Sequence, residues 1–153
     1  MGAEDCLPEP WAHLEVAHQG GAWKIVNGSE WVLDFGANQM AANQALSIIQ
    51  HYRFDHICYV KRPNPPMTYW TRSNMVPSGG MGGEDCTNNN PDTTTVDHVG
   101  GAWKVVDGSH WMLDYGSDKS AAEQALAVIK HYRLNRQCFV ARPNPPMSYW
   151  LAQ

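Results

Sequence analysis

The clearest pattern in the chain is a pair of β-rich runs on either side of a turn signal. Residues 22–26 and 29–35 are rich in branched and aromatic side chains, and the dipeptide Asn27-Gly28 separates them. A two-residue type I′ turn needs positive φ at both central residues, which Asn and Gly adopt readily. The pattern therefore predicts a β-hairpin with Asn27 and Gly28 at the centre of its turn.

This turn also predicts which side chains share a face, because it sets Lys24 opposite Trp31. One face is bulky and apolar, and we expect a helix to cover it. Its residues are Val26, Trp31, Leu33 and Phe35. The other face mixes apolar side chains with carboxylates. Its residues are Trp23, Ile25, Glu30, Val32 and Asp34. We expect this second face either to be buried against another part of the chain or to bind a ligand.

The whole pattern occurs twice. Residues 1–73 align with residues 81–153 without insertion or deletion, and about half of the paired positions are identical. The hairpin recurs with Asp107-Gly108 in its turn. A period this long indicates two small modules rather than a solenoid of thin repeats. The predicted organisation is a first module at 1–72, a glycine-rich linker at 73–83 and a second module at 84–153.

Each module is predicted to contain five strands and one helix in the order β-β-β-α-β-β. The helix spans 38–53, with Asn38 or Asp118 as N-cap. Short strands are expected near 14–18, 56–61 and 67–70, besides the hairpin. The apolar stripe of the helix consists of Ala41, Ala45, Ile48, Ile49 and Tyr52. The predicted fold class is α+β, a tandem repeat in which each antiparallel sheet carries one helix on one face and a pseudo-two-fold relates the modules.

Four cysteines occur in two pairs at identical spacing, Cys6 with Cys58 and Cys86 with Cys138. A module of about 70 residues has a small core that is commonly reinforced by a crosslink, so we expect one disulfide per module. Four reduced and buried cysteines are the alternative. Disulfides would indicate an oxidising compartment, and we expect a secreted or extracellular protein whose leader is absent from the chain.

Composition excludes some partners. The chain has eleven basic and fifteen acidic residues, a formal net charge of -4, and 43% hydrophobic residues. These values suit a globular protein, and the scattered basic residues argue against nucleic acid. No apolar run reaches the roughly 20 residues of a transmembrane helix. The oligomeric state does not follow from the sequence.

Aromatic residues are the strongest signal for binding, with seven Trp and six Tyr in a short chain. Aromatic planes beside short polar side chains suit sugars, whose rings have an apolar face and a rim of hydroxyls. Packing in two small cores is the alternative role for these aromatics. The candidate ligand-binding residues are Trp23, Asp34, Arg62, Asn64, Tyr69 and Trp70, and in the second module Trp103, Asp114, Arg142, Asn144, Tyr149 and Trp150.

The turn at 62–66 has the sequence Arg-Pro-Asn-Pro-Pro and is identical in both modules. Its prolines stiffen the backbone and can hold Arg62 and Asn64 in place at low entropic cost, and we expect a cis bond at Asn-Pro or Pro-Pro. The prolines can equally serve only to end a hairpin and prevent edge pairing.

These features lead to three hypotheses. The first is a bivalent, lectin-like carbohydrate-binding protein with one equivalent site per module, because two weak sites raise avidity for a multivalent ligand. The alternative is a protein-interaction or inhibitor module that uses the proline-rich turns. The third is a hydrolase with paired sites around His51. No catalytic motif appears, so we expect no enzyme activity, catalytic residue, cofactor or metal site, and the expected partners are glycans or a protein surface.

Overall fold

The computed structural model describes residues 4–152 and shows an α+β fold with two similar halves. Two α-helices and four three-stranded antiparallel sheets make up this part of the chain. The first half contains β1 (Asp5–Pro8), a 3-10 turn (Trp11–His13), β2 (Leu14–Gln19), β3 (Ala22–Asn27), β4 (Glu30–Asp34), α1 (Gln39–Tyr52), β5 (His56–Val60) and β6 (Met67–Thr71). The second half contains β7 (Asp85–Asn88), β8 (Thr94–Val99), β9 (Ala102–Asp107), β10 (His110–Asp114), α2 (Lys119–Tyr132), β11 (Arg136–Val140) and β12 (Met147–Leu151).

Each half has six strands in two sheets, where the sequence predicted five. One sheet is the meander β2-β3-β4, and the other has the order β1-β5-β6. The strand missing from the prediction is β1, a short edge strand that pairs with β5 so that Cys6 lies opposite Cys58. A disulfide joins these two cysteines, and another joins Cys86 to Cys138. The predicted disulfides are therefore confirmed, and each crosslinks an edge strand to the centre of its sheet.

The helix prediction is confirmed at both ends. Helix α1 begins after Asn38, whose side chain accepts a hydrogen bond from the backbone N–H of Ala41 at 3.0 Å. It ends at Arg53, which adopts the left-handed conformation with φ 55°. Asp118 caps α2 in the same way. The predicted apolar stripe, from Ala41 to Tyr52, is buried.

The predicted hairpin forms, but its turn lies one residue later than expected. Asn27 pairs with Glu30, so Gly28 and Ser29 are the central residues. Of these two residues only Gly28 has positive φ, at 63°. This is the requirement of a type II′ turn, in which glycine occupies the first central position. The predicted type I′ turn at Asn27-Gly28 is therefore wrong. Glycine adopts positive φ in both turn types, so the dipeptide alone does not determine which residues are central.

A β-bulge follows the turn and reverses part of the predicted pattern of faces. Val26 lies opposite Trp31 while Ile25 lies opposite Leu33, so Val32 is an extra residue in β4. Ile25 is fully buried, whereas 58% of the Trp31 surface is exposed. The prediction that Trp31 belongs to the core face is therefore wrong, as is the assignment of Ile25 to the opposite face.

The two hydrophobic cores each contain residues from both halves. The first is built on α1 and the meander β2-β3-β4, and it includes five buried residues of the second half: Cys138, Val140, Met147, Tyr149 and Leu151. The second is built on α2 and β8-β9-β10, and it includes four buried residues of the first half: Cys58, Val60, Met67 and Tyr69. Each half therefore completes the core of the other.

Two half-buried carboxylate clusters also connect the halves. Glu4 accepts hydrogen bonds from the hydroxyls of Tyr69, at 2.5 Å, and Tyr132, at 2.8 Å. In the reciprocal arrangement Glu84 accepts from Tyr149, at 2.6 Å, and Tyr52, at 2.8 Å. Each glutamate thus bonds one tyrosine of its own half and one at the end of the other half's helix.

Burial and these bonds shift the pKa values of the groups involved. Burial opposes ionisation of Glu4, the hydrogen bonds from Tyr69 and Tyr132 favour it, and the net effect is a lowered pKa of this carboxyl. Burial, together with the bond to Glu4, raises the pKa of Tyr132 to about 12. The pKa of Tyr69 is raised further for the same reasons. The carboxylate and hydroxyl forms are therefore the stable ones at neutral pH.

No helix in residues 4–152 combines the length and apolarity required to cross a membrane. The predicted module boundaries at 1–72, 73–83 and 84–153 remain a prediction, and their outer ends at 1–3 and 153 lie outside the described residues. Within the linker, Met75 forms a bridge with Arg72, and the carbonyl of Pro77 accepts from the N–H of Ala152 at 3.0 Å.

Candidate functional site

The four aromatic candidates from the last strand of each half lie inside the protein. Tyr69, Trp70, Tyr149 and Trp150 are each at most 1% exposed. Both tyrosines belong to the carboxylate clusters. The indole N–H groups of Trp70 and Trp150 are buried without a hydrogen-bond partner among the described residues. These four side chains hold the two cores together.

Trp23 and Asp34, predicted as neighbours, lie on opposite sides of the meander. Trp23 is half-buried beside the first core and stacks on His18 with the ring centroids 4.6 Å apart. Asp34 pairs with Lys24 and is exposed on the other side of the sheet. In the second half Trp103 contacts His98 in the same way, and the Lys119 ammonium lies 4.8 Å from its ring centroid.

The arginines of the proline-rich turns are fixed by ion pairs. Arg62 donates two hydrogen bonds to the Asp5 carboxylate, one of them from Nε at 2.7 Å, and its guanidinium lies 4.7 Å from the centre of the Tyr59 ring. The hydrogen bonds from Arg62 lower the pKa of Asp5. Asn64 is exposed at the tip of the turn. The cis bond in this turn is Arg62-Pro63 rather than an Asn-Pro or Pro-Pro bond.

The same assembly is present in the second half. Arg142 donates to both oxygens of Asp85, with Nε at 2.7 Å, and lies 4.5 Å from the centre of the Phe139 ring. Asn144 is exposed, as Asn64 is. Each of the two turns therefore places a bidentate Asp–Arg pair on one aromatic ring. We refer to these assemblies as the ring clamps.

The bulge creates an exposed aromatic platform on the outer side of the first meander. Lys24, Val26, Trp31 and Asp34 share this side, because cross-strand partners and alternate residues of a strand point the same way. The Lys24 ammonium lies 5.5 Å from the centre of the Trp31 ring. One oxygen of Asp34 accepts from the N–H of Gly36 at 2.8 Å. The platform therefore presents an indole, an ammonium and a carboxylate to solvent.

The second half carries an equivalent platform made of Lys104, Trp111 and Asp114, with the buried Val106 opposite Trp111. Trp111 is 53% exposed, and the Lys104 ammonium lies 4.9 Å from its ring centroid. The surroundings differ in charge. Glu30 beside the first platform is replaced by His110, and Ala17, which pairs with Lys24, is replaced by Asp97. The two platforms thus share their central groups and differ at their edges.

A third surface feature is a cleft of about 440 Å³ lined by residues of both halves. Its walls include the clamped rings Tyr59 and Phe139, and it also contains the hydroxyls of Thr68 and Ser148, which are hydrogen-bonded to each other at 2.7 Å. The remaining lining residues are Val32, Leu33, Ile57, Pro65, Pro66, Trp70, Met112, Gln137, Pro145, Pro146 and Met147.

Two groups of potential metal ligands occur in the described residues, Glu4 with Cys6 and Cys58, and the matching group in the second half. In both groups the sulfur atoms belong to a disulfide. A disulfide sulfur is not the thiolate that binds metal, so these groups do not form a metal centre.

Sequence reasoning missed Trp31 and Trp111 as surface residues, because the bulge that exposes them leaves no signature in the hydrophobic pattern. A signal was nevertheless available. Lys24, Trp31 and Asp34 are identical in both copies, whereas core neighbours such as Ile25 and Phe35 change to Val105 and Tyr115. The prolines of the cleft also recur in both copies, but repetition does not show that residues of the two halves meet in one cleft.

No protein-family model, curated protein or solved structure matches this chain.

Proposed function

We propose that this protein is a bivalent, lectin-like carbohydrate-binding protein whose two sites are the exposed aromatic platforms. The observation that carries the proposal is the exposure of Trp31 and Trp111, 58% and 53%, at matching positions of the two halves. Large exposed indoles are costly to leave in water without a partner. Their repetition in a duplicated chain favours a shared role in binding.

The chemistry of the platform suits a sugar ring. The apolar C–H face of a pyranose stacks on an indole, and its hydroxyls accept from an ammonium and donate to a carboxylate. Lys24 and Asp34 provide those groups beside Trp31, and Lys104 and Asp114 provide them beside Trp111. A single platform of this kind is shallow, so each site binds weakly. Two sites on one chain raise the avidity for a surface that displays many glycans.

We further infer that a pseudo-two-fold axis relates the two halves and their platforms. The reciprocal bonds from Tyr132 to Glu4 and from Tyr52 to Glu84 support this arrangement, as does the exchange of core residues in both directions. An extracellular location belongs to the same proposal, because two disulfides are typical of oxidising compartments.

A glycan array probed with the intact chain and with the double variant Trp31→Ala/Trp111→Ala tests the proposal. We expect specific binding by the intact chain that falls at least about tenfold in the double variant. The matched control is Met40→Ala/Met75→Ala, which removes two other large exposed apolar side chains, 83% and 69% exposed. Binding that is absent in the intact chain, or equally reduced by the control, contradicts the proposal.

The second candidate, a protein-interaction module, is favoured by one observation: the tips of both proline-rich turns are exposed, and the ring clamps hold the turns in place. A rigid exposed loop loses little entropy on binding. Capture of a protein by the intact chain that is lost in Asn64→Ala/Asn144→Ala, with no glycan bound, favours this candidate over the first.

A further inference from the structure

We propose that the cleft between the halves is one binding site for a small, uncharged ligand with an aromatic or fused apolar ring system. The site is distinct from the platforms, because none of the 15 lining residues is Lys24, Trp31, Asp34 or a matching residue of the second half. It is a single site per chain, since it takes residues from both halves. Ligand binding in the cleft is therefore independent of carbohydrate binding by the platforms.

The absence of charge in the lining indicates an uncharged ligand. None of the 15 lining residues carries a formal charge, although 17% of the chain is charged. An ionised group that entered the cleft would lose its hydration without gaining an opposite charge. The arginines that lie over the two clamped rings, Arg62 and Arg142, are already paired with Asp5 and Asp85.

The two clamped rings indicate an aromatic or flat apolar ligand. Tyr59 and Phe139 occupy equivalent positions in the two halves, and both line the cleft. A guanidinium lies over each ring, 4.7 Å from the centre of Tyr59 and 4.5 Å from that of Phe139. Because each arginine is held by two hydrogen bonds, the rings are fixed before a ligand arrives. Fixed aromatic walls favour stacking or edge contacts with another ring.

The polar side chains of the cleft are uncharged and suit a ligand with one or two hydrogen-bonding groups. The Thr68 and Ser148 hydroxyls bond each other at 2.7 Å, which occupies part of their capacity. The Gln137 amide is the other main polar side chain of the lining, besides the Tyr59 hydroxyl. A ring system with one or two hydrogen-bonding groups can find its partners among these side chains.

The size of the cleft suits such a ligand. Its volume of about 440 Å³ lies in the lower part of the range of small-molecule sites. Four prolines of its lining, Pro65, Pro66, Pro145 and Pro146, restrict the backbone in both halves. A restricted lining adapts little on binding, which also favours a compact and rigid ligand.

The test uses two fluorescent probes with the same ring skeleton, N-phenyl-naphthylamine and anilinonaphthalene sulfonate. The first is uncharged, and the second adds a sulfonate. We expect the intact chain to bind the uncharged probe saturably at one site per chain, at least about tenfold more tightly than the sulfonate. Absence of saturable binding of the uncharged probe, or equal or tighter binding of the sulfonate, overturns the proposal.

Variants place the probe in the cleft. We expect Phe139→Ala to weaken binding of the uncharged probe at least about fivefold, while Phe139→Tyr, which introduces the residue of the first half, leaves it within about twofold. The double variant Trp31→Ala/Trp111→Ala should bind it as the intact chain does. Unchanged binding in Phe139→Ala, or loss in the platform variant, contradicts a site in the cleft.

A measurement on the unaltered chain covers the case in which Phe139→Ala fails to fold. In nuclear magnetic resonance spectra the uncharged probe should shift the side-chain amide signals of Gln137 and leave the Trp31 and Trp111 indole signals in place. The reverse pattern overturns the proposal. Failure of this test leaves carbohydrate binding by the platforms intact, and loss of glycan binding leaves the cleft intact.

Discussion

The hydroxyl of Tyr132 provides the sharpest test of how the two halves are held together. It donates to both oxygens of Glu4, at 2.9 and 2.8 Å, across a sequence separation of 128 residues. Tyr132→Phe removes this hydroxyl and keeps the ring in place. A hydrogen bond to a charged group contributes about 1.5–3 kcal/mol to stability. Because Tyr69 still donates to Glu4, we expect a loss of about 1.5 kcal/mol in the free energy of unfolding.

The loss should depend on pH because the acceptor titrates. The folded pKa of Glu4 lies below its ordinary value of 4.5, so its bonds stabilise the fold fully above pH 4.5. That stabilisation disappears as the pH falls through the lowered folded pKa. Urea unfolding with the disulfides intact, at a series of pH values from about 7 down to about 2, measures the difference. We expect the cost of Tyr132→Phe to shrink as the pH falls through the lowered folded pKa of Glu4.

Tyr59→Phe is the matched control, because the second half has Phe139 at the equivalent position. Tyr59 is half-buried, as Tyr132 is, but its hydroxyl donates to no carboxylate in the described residues. We expect this variant to cost less than about 0.5 kcal/mol at each of these pH values. Equal costs for the two variants at neutral pH, or a cost of Tyr132→Phe that does not change with pH, would refute the reasoning.

Three further predictions concern stability. The separate pieces 1–72 and 84–153 should not unfold cooperatively in urea, because each core takes buried residues from the other half, whereas mixing the pieces should restore a cooperative transition. Burial raises the pKa of Glu9 above 4.5, so ionisation of this carboxyl costs stability as the pH rises through the raised value. Glu9→Gln should therefore stabilise the chain by about 0.5–1 kcal/mol at pH 7. Equal stability of the two proteins at every pH in urea titrations would contradict this. Asp118→Ala should cost about 1 kcal/mol in thermal or urea unfolding, because it removes the N-cap of α2, and an unchanged midpoint would contradict the assigned cap.

The features predicted correctly are those that depend on local sequence. The helix boundaries follow from the capping side chain of Asn38 and from apolar residues at helical spacing, both of which act within a few residues. The disulfides follow from the equal spacing of the cysteines in two small modules. Gly28 marks the hairpin turn in any register. These signals are contained in short segments, so one sequence is enough to read them.

The features missed depend on single-residue shifts and on contacts distant in sequence. The extra residue Val32 places Trp31 and Leu33 on opposite faces of the meander, although the sequence pattern predicts one shared face. Trp31 therefore lies on the surface instead of in the core. The pattern of β5 and β6 shows that both faces are apolar, but it does not show that Tyr69 packs beside α2 rather than α1. No local sequence pattern predicts the cleft either, because its two clamped rings, Tyr59 and Phe139, come from different halves.

Identity between the two halves indicates the candidate site residues better than aromatic content alone does. The candidates chosen as paired aromatics included Trp70 and Trp150, which are fully buried. Residues that are both repeated and exposed form a smaller set, and it contains Trp31 and Asp34. Exposure is the part that required a structure, because the bulge determines it.

Calorimetric titration of the chain with a glycan selected on the array tests the central claim most directly. We predict two binding events per chain with unequal affinities, because Glu30 beside the first platform is His110 beside the second. Trp31→Ala should leave one event, and Trp31→Ala/Trp111→Ala should leave none. One event per chain in the intact protein, or two events that persist in the double variant, would contradict the claim that the platforms bind carbohydrate.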